Sequence, residues 1–182
     1  MKQSMSMIAR VIKEGEKIPL NDEQIKQYLH GQVRIVKYGD MTSIEEMLQP
    51  YGRYIMLYQF PGQKVGHWVV GFLQDGMLHL FDPYGLQPDE PMEKMGHPDV
   101  KTYTNLIHQS PYYPDRLAIS KYQYQQFKDG IDTCGRHCIS RLLFANLNPE
   151  NYHDLMTSKL LQNPDERATL ITLSAAMPHL SK

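Results

Sequence analysis

The sequence predicts an α+β domain: a central mixed β-sheet flanked by helices, with a reactive thiol at a helix N-terminus. Three observations carry this. Two apolar runs, His67 to Leu73 and Met77 to Asp82, flank the turn around Gln74-Asp75-Gly76 and read as a β-hairpin. Both runs are apolar on both faces, which suits strands at the centre of a sheet covered on two sides. Helix-start signals lie before and after these strands, so helices are available to cover both faces. With 182 residues, 41% of them apolar, the chain is long enough to bury a core as one domain.

In chain order, residues 1–18 read as either a loosely tied arm or a short helix ahead of a single domain over 19–182. Asn21 has the chemistry of an N-cap for a helix from Glu23 to Leu29. Val33 to Val36 reads as a short strand. Thr42-Ser43 followed by Glu45 and Glu46 opens a further helix through Leu48, which Pro50-Tyr51-Gly52 ends. Tyr54 to Gln59 is rich in aromatic and aliphatic residues and reads as a strand, broken at Pro61-Gly62. The proline-rich segment 86–116 is expected to be an irregular, surface-exposed connection with one short strand or helix. Leu117 to Phe127 alternates aromatics with glutamines and reads as a strand. A helix from Cys134 to Leu147, stopped by Asn148-Pro149, and a last helix from Asp165 to Ser174 complete the expectation.

Composition narrows the function classes. The net charge is −1, with acids and bases spread along the chain, so no global basic field supports binding to nucleic acid or an anionic membrane. No run approaches the roughly 20 apolar residues of a membrane span, and the first residues lack a secretory pattern. The chain has two cysteines, four positions apart, which is poor spacing for a disulfide within one helix turn. Both are therefore expected to be thiols in a reducing, intracellular compartment.

The chemistry concentrates in three strings: Gly66-His67-Trp68, Phe81-Asp82-Pro83-Tyr84-Gly85 and Asp132-Thr133-Cys134-Gly135-Arg136-His137-Cys138. A cysteine, a histidine and a carboxylate can serve as nucleophile, base and orienting group. The hairpin places His67 and Asp82 on one face in two of its three plausible registers. A four-residue loop sets them directly opposite, and a two-residue loop at Asp75-Gly76 sets them diagonally. Thr133 or Asp132 can cap the helix that begins at Cys134. A thiol there meets the positive end of the helix dipole, which favours thiolate. The backbone N–H of Cys134 can form half of an oxyanion hole, and Gln123, Gln125 or Gln126 can supply a side-chain amide for the other half. Gly135 allows close approach of substrate. Plainer readings stand beside these: a His–Asp proximity is common, Trp68 suits a core, and Cys134 and Cys138 suit buried small hydrophobes. Cys134, His137 and Cys138 could also contribute to a zinc site, although one helix turn is crowded for it.

Taken in order, the three strings resemble the adenain-like cysteine proteases, in the same clan as the SUMO-specific proteases. Within that group the likeness is greatest to maturation proteases of virophages, Polinton-type elements and giant DNA viruses. The resemblance covers nearly the whole chain from Pro19. It implies a papain-like, adenain-like fold and a thiol-dependent endopeptidase. His67 would be the general base, Asp82 its orienting acid, Cys134 the nucleophile, and Trp68 the aromatic beside the histidine. The family's oxyanion glutamine lies six or seven residues before the cysteine, where this chain has Lys128 and Phe127. Gln126 is then the nearest candidate and Gln125 the second. The implied substrates are capsid or core precursors with Gly-rich cleavage sites, cut in the host cytoplasm or nucleus or within the virion. An activating peptide is a family feature, while the near-neutral charge gives no support for a DNA activator. No cofactor, metal or membrane is implied, and the chain is expected to act as a monomer. Two other functions share these residues: removal of ubiquitin-like modifiers from host proteins, and an inactive binding module.

Overall fold

The computed structural model describes residues 2–59, 66–158 and 163–176. Five strands form one sheet in the order β1 (Arg34–Lys37), β2 (Arg53–Tyr58), β3 (His67–Gln74), β4 (Met77–Phe81), β5 (Leu117–Ile119). The inner pairs β2–β3 and β3–β4 are antiparallel, and the outer pairs β1–β2 and β4–β5 are parallel, so the sheet is mixed. Helices cover both faces: the architecture is α+β.

The β3–β4 hairpin turns in two residues. Gln74 pairs with Met77, and Asp75 and Gly76 both take positive φ (51° and 77°), as a type I′ loop requires. The preceding pairs run back to Val70 opposite Phe81, so His67 and Asp82 lie diagonally on one face. This is the shorter of the two loops that keep the pair together. Glycine is required inside the hairpin as well. A Cβ on Gly71 would come within 2.3 Å of the Tyr54 ring, which crosses beneath it to hydrogen-bond the Tyr103 hydroxyl.

Strand alternation sorts the core into two layers. Ile55, Trp68, Val70, Phe72 and Phe81 face α2 (Asp22–Tyr28), α6 (Cys134–Leu143), α7 (Pro149–Thr157) and α8 (Pro164–Ala176). Tyr54, Met56, Tyr58, Val69 and Leu80 face α3 (Ile44–Leu48), α4 (Glu90–Lys94) and α5 (Thr102–Gln109). Asn21 caps α2 with a full capping box to Gln24, and Ser43 caps α3 through Glu46.

Four expectations need correction. Segment 86–116 is not an exposed irregular connection, because α4 and α5 bury Met92, Tyr103 and Ile107 against the second sheet face. Its prolines did not prevent this: Pro91 sits in the first turn of α4, where no N–H is needed. The fully buried Asp89 carboxylate also receives the first N–H groups of α5, from Tyr103 and Thr104. The strand expected from Leu117 ends at Ile119, since the N–H groups of Tyr124 and Gln125 turn to the Pro83 carbonyl instead of a ladder. The helix from Cys134 stops at Leu143, not Leu147. Asn148-Pro149, expected as a stop, starts α7, with Asn148 accepting from the Asn151 N–H. The break at Pro61-Gly62 lies outside the described residues.

Residues 2–16 form a helix, α1 (Lys2–Glu16), packed along α8. Its end is fastened to the rest of the domain at three points. The Asp132 N–H donates to the Glu16 carbonyl at 2.7 Å, the Arg136 Nε to the Gly15 carbonyl at 3.2 Å, and Lys13 Nζ bridges Glu16 and Glu166.

Candidate active site

Three elements converge at one end of the sheet. His67 is the first residue of β3, Asp82 follows the last residue of β4, and Cys134 is the first residue of α6. All three are buried, at 8%, 6% and 8% exposure. The His67 ring spans the other two side chains. Its Nε2 lies 3.0 Å from Asp82 Oδ1, and the Cys134 side chain lies close enough to the ring to act on its charge. Asp82 is oriented in turn by the Tyr84 N–H, which donates to the same oxygen at 2.7 Å. Burial alone would push the His67 imidazole down. The Asp82 carboxylate, by charge and hydrogen bond, and then the Cys134 sulfur, reverse this and raise it from 6.5 to about 10. At neutral pH the ring is therefore an imidazolium paired with the Asp82 carboxylate, with Cys134 beside it.

Aromatic rings sandwich that imidazolium. Tyr58, paired with His67 across β2–β3, stacks at 6.4 Å, and Tyr84 stacks on it at 4.9 Å. Burial, followed by the charges of Cys134 and Asp82, raises the Tyr84 hydroxyl to about 12, so the ring facing His67 is a neutral phenol. A cation over such a face gains on the order of 1 kcal/mol.

The start of α6 differs from expectation. Thr133 occupies the N-cap position but makes no side-chain cap, and Asp132 does not cap either. The Thr133 hydroxyl instead donates to Asp165 Oδ1, leaving the first-turn N–H groups beside Cys134 uncapped. Asp165, from α8, is a hub with 0% exposure. It also takes His137 Nε2 at 3.0 Å and the Gln126 N–H at 3.2 Å. One carboxylate thus grips the residue before Cys134, the next turn of α6 and the glutamine segment. Sequence reasoning missed it. Asn163-Pro164-Asp165-Glu166 looks like an ordinary acidic first turn, but Asn163 does the capping and frees Asp165 to point inward.

The three sulfur and imidazole groups of the Cys134–Cys138 string go to three different partners. Cys134 meets His67, His137 meets Asp165, and Cys138 Sγ donates to the Trp68 carbonyl at 3.3 Å. Burial pushes the Cys138 thiol well up, so it stays protonated in the core. Trp68 packs beside Gly135, where an added Cβ would lie 3.4 Å from its ring, and its indole N–H is spent on the Leu20 carbonyl at 2.9 Å.

The candidate glutamines separate. The Gln126 side chain is exposed. The Gln125 side chain is buried and its Nε2 donates to the Ile131 carbonyl at 3.1 Å, three residues before Cys134. An amide nitrogen carries two hydrogens, so one remains for another acceptor. Gln123 bonds back to the Gln125 carbonyl. A cleft of about 350 Å³ opens at Cys134, walled by Leu20, Ile35, Leu57 and Trp68, with Lys37 and Asp22 also lining it.

The chain is 30% identical to uncharacterized protein V9 of Sputnik virophage over 177 residues, 89% of this chain and 98% of that protein. This chain belongs to the V9 family of virophage proteins. No family model matches it. Among solved structures, ChlaDub1 of Chlamydia trachomatis is 17% identical, with a TM-score of 0.42 over 92% of this chain and 76% of that one. The central domain of Lpg1148 of Legionella pneumophila is 16% identical, with a TM-score of 0.41 over 86% and 98%. The Chlamydia effector Cdu1, solved bound to ubiquitin, is 18% identical, with a TM-score of 0.38 over 92% and 77%. These superpose only loosely on this chain. No helix among the described residues is long and apolar enough to cross a membrane.

Proposed function

We propose that this V9-family chain is a cysteine endopeptidase whose nucleophile is Cys134, served by His67 and Asp82. The observation that carries the proposal is the buried His67 ring hydrogen-bonded to the Asp82 carboxylate with the Cys134 side chain beside it. The Cys134 thiolate attacks the scissile carbonyl carbon, and the carbonyl electrons move to oxygen. The oxyanion is received by the Cys134 N–H at the open start of α6 and by a side-chain amide. Gln125 suits that role better than Gln126, because it is buried against the loop leading to Cys134. Collapse expels the amine, which takes the His67 proton, and leaves a thioester. Acylation takes away the Cys134 sulfur's share in raising His67, so the ring gives up its proton more readily at that moment. Water then delivers a proton to His67 and attacks the thioester. The acid product leaves, and the thiolate and imidazolium return.

The substrates we propose are capsid or core precursors of the same virus, and the family's occurrence in a virophage supports this choice. The cleft beside Trp68 would hold the acyl side of the substrate, and a Gly-rich segment suits its walls of Leu20, Leu57 and Trp68. Gly135, expected to admit the substrate, is instead buried against Leu20, Ile25 and Trp68 and does not line the cleft. The test pairs two measurements. Cys134 should react with iodoacetamide near neutral pH far faster than Cys138, whose thiol is buried and protonated. Cys134→Ala should abolish processing of a co-expressed capsid precursor. Equal reactivity of the two thiols, or processing that survives Cys134→Ala, refutes the proposal. Covalent labelling of Cys134 by a ubiquitin vinyl sulfone, with the precursor left uncut, would assign the same site to modifier removal instead.

A further inference from the structure

Phe127 is the most exposed large aromatic side chain among the described residues, at 61%, and it lies seven residues before Cys134. Its ring lies flat on Tyr84, with centroids 4.1 Å apart and planes within 9°. Tyr84 in turn stacks on His67 at 4.9 Å. The three rings make a staircase from the buried imidazole to solvent, and one face of the top step is open. Below it lies a second concavity of about 500 Å³, lined by Tyr84, Phe127, Gly130, Ile131 and Asp132. Asp132 also lines the 350 Å³ cleft at Cys134, so the two concavities share that residue, two positions before the thiol.

Proton transfer gives the two concavities an order along a substrate. The acyl carbon is bonded to Cys134, so the acyl half of a peptide lies in the cleft that Cys134 lines. The leaving nitrogen must come within hydrogen-bond reach of His67 to receive its proton. The chain beyond that nitrogen therefore continues on the His67 side, where Tyr84 and Phe127 stand. We infer that the Phe127–Tyr84 step is the leaving-side subsite, taking the side chain of the residue that follows the scissile bond and selecting a planar or large apolar one. A flat, solvent-facing ring gains most from a second flat or greasy surface, which buries area on both sides. The loop turning at Gly130, at φ +77°, frames the polar side of the concavity and would run beside the substrate backbone. Nothing in this arrangement requires a charged side chain from the substrate. The inference rests on the protease reading above.

The test uses wild type, Phe127→Ala and Phe127→Tyr with a proteome-derived peptide library, and cleavage sites are read on both sides by mass spectrometry. Matched peptides from one cut site, differing only in the residue after the scissile bond, then give kcat and KM. Wild type should prefer aromatic or large aliphatic residues there over aspartate or glycine by about tenfold, the scale expected of one ring contact. Phe127→Ala should lose most of that preference, chiefly through KM, with the acyl-side preference retained, and Phe127→Tyr should restore it. A wild-type profile indifferent to the residue after the bond overturns the inference. So does a Phe127→Ala enzyme slowed equally on every peptide, because the ring would then act only by holding Tyr84 and His67 in place. A library left entirely uncut by wild type would refute the protease reading itself.

Discussion

Replacing Asp82 by asparagine tests the electrostatic core of the site while changing one atom type. The carboxylate lies 3.0 Å from His67 Nε2 inside a buried pocket, and it is the main influence holding the imidazole at about 10 against the downward push of burial. An asparagine keeps the volume and removes the charge, so desolvation regains control and the ring falls to its ordinary 6.5 or lower. At pH 7.5 a group titrating near 6.5 is only about one-tenth protonated, against nearly complete protonation in wild type. The imidazolium that protonates the leaving amine in the proposed mechanism is then scarce. The variant should lose at least about tenfold in kcat/KM at pH 7.5 without losing all activity. The assay is the pH profile of peptide cleavage and of Cys134 alkylation, with the His67 ring followed by NMR. In wild type the alkaline limb should lie near pH 10, and in Asp82→Asn it should move below pH 7. Stability carries the same sign. A group raised from 6.5 to about 10 on folding stabilises fully below pH 6.5 and loses that contribution as pH rises through 10. Wild type should therefore lose more unfolding free energy than Asp82→Asn across that window. A wild-type alkaline limb below pH 8, or a limb that does not move in the variant, would show that Asp82 does not control His67.

Asp165→Ala should cost roughly 3 kcal/mol in urea unfolding, because it leaves the Thr133 hydroxyl, the His137 ring and the Gln126 N–H buried without their acceptor; a loss under about 0.5 kcal/mol, where unremarkable surface substitutions fall, would remove it as the hub. Gln125→Ala should lower kcat by about 10²-fold, the scale of a lost oxyanion donor, and Gln126→Ala by less than about threefold; the reverse order would return the role to the exposed glutamine.

Local chemistry made much of this legible. The hairpin followed from the turn around Gln74-Asp75-Gly76 between apolar runs; two of its three plausible registers put His67 and Asp82 on one face, and the two-residue loop is one of these. Asn21 and Ser43 capped the helices they were expected to cap, since capping depends on residues three positions apart. Thr133 had the same chemistry and went elsewhere, because a buried carboxylate thirty-two residues away accepts its hydroxyl in place of the first-turn N–H groups.

What the sequence determined by itself is the layered α+β pattern and the identity of the three groups meeting at the end of the sheet. These depend on periodicity and turn chemistry, which act over a few residues. Tertiary structure alone decided the rest. It folded the proline-rich segment into two helices, because Asp89 supplies hydrogen-bond acceptors to α5 from outside that helix. It buried Gln125 and exposed Gln126, because the segment after β5 turns its N–H groups to Pro83. It stacked Phe127 and Tyr84 on His67, from three separate stretches of chain. Each outcome is a competition for a hydrogen-bond partner or a buried surface between residues far apart in sequence, and spacing along the chain does not report who wins.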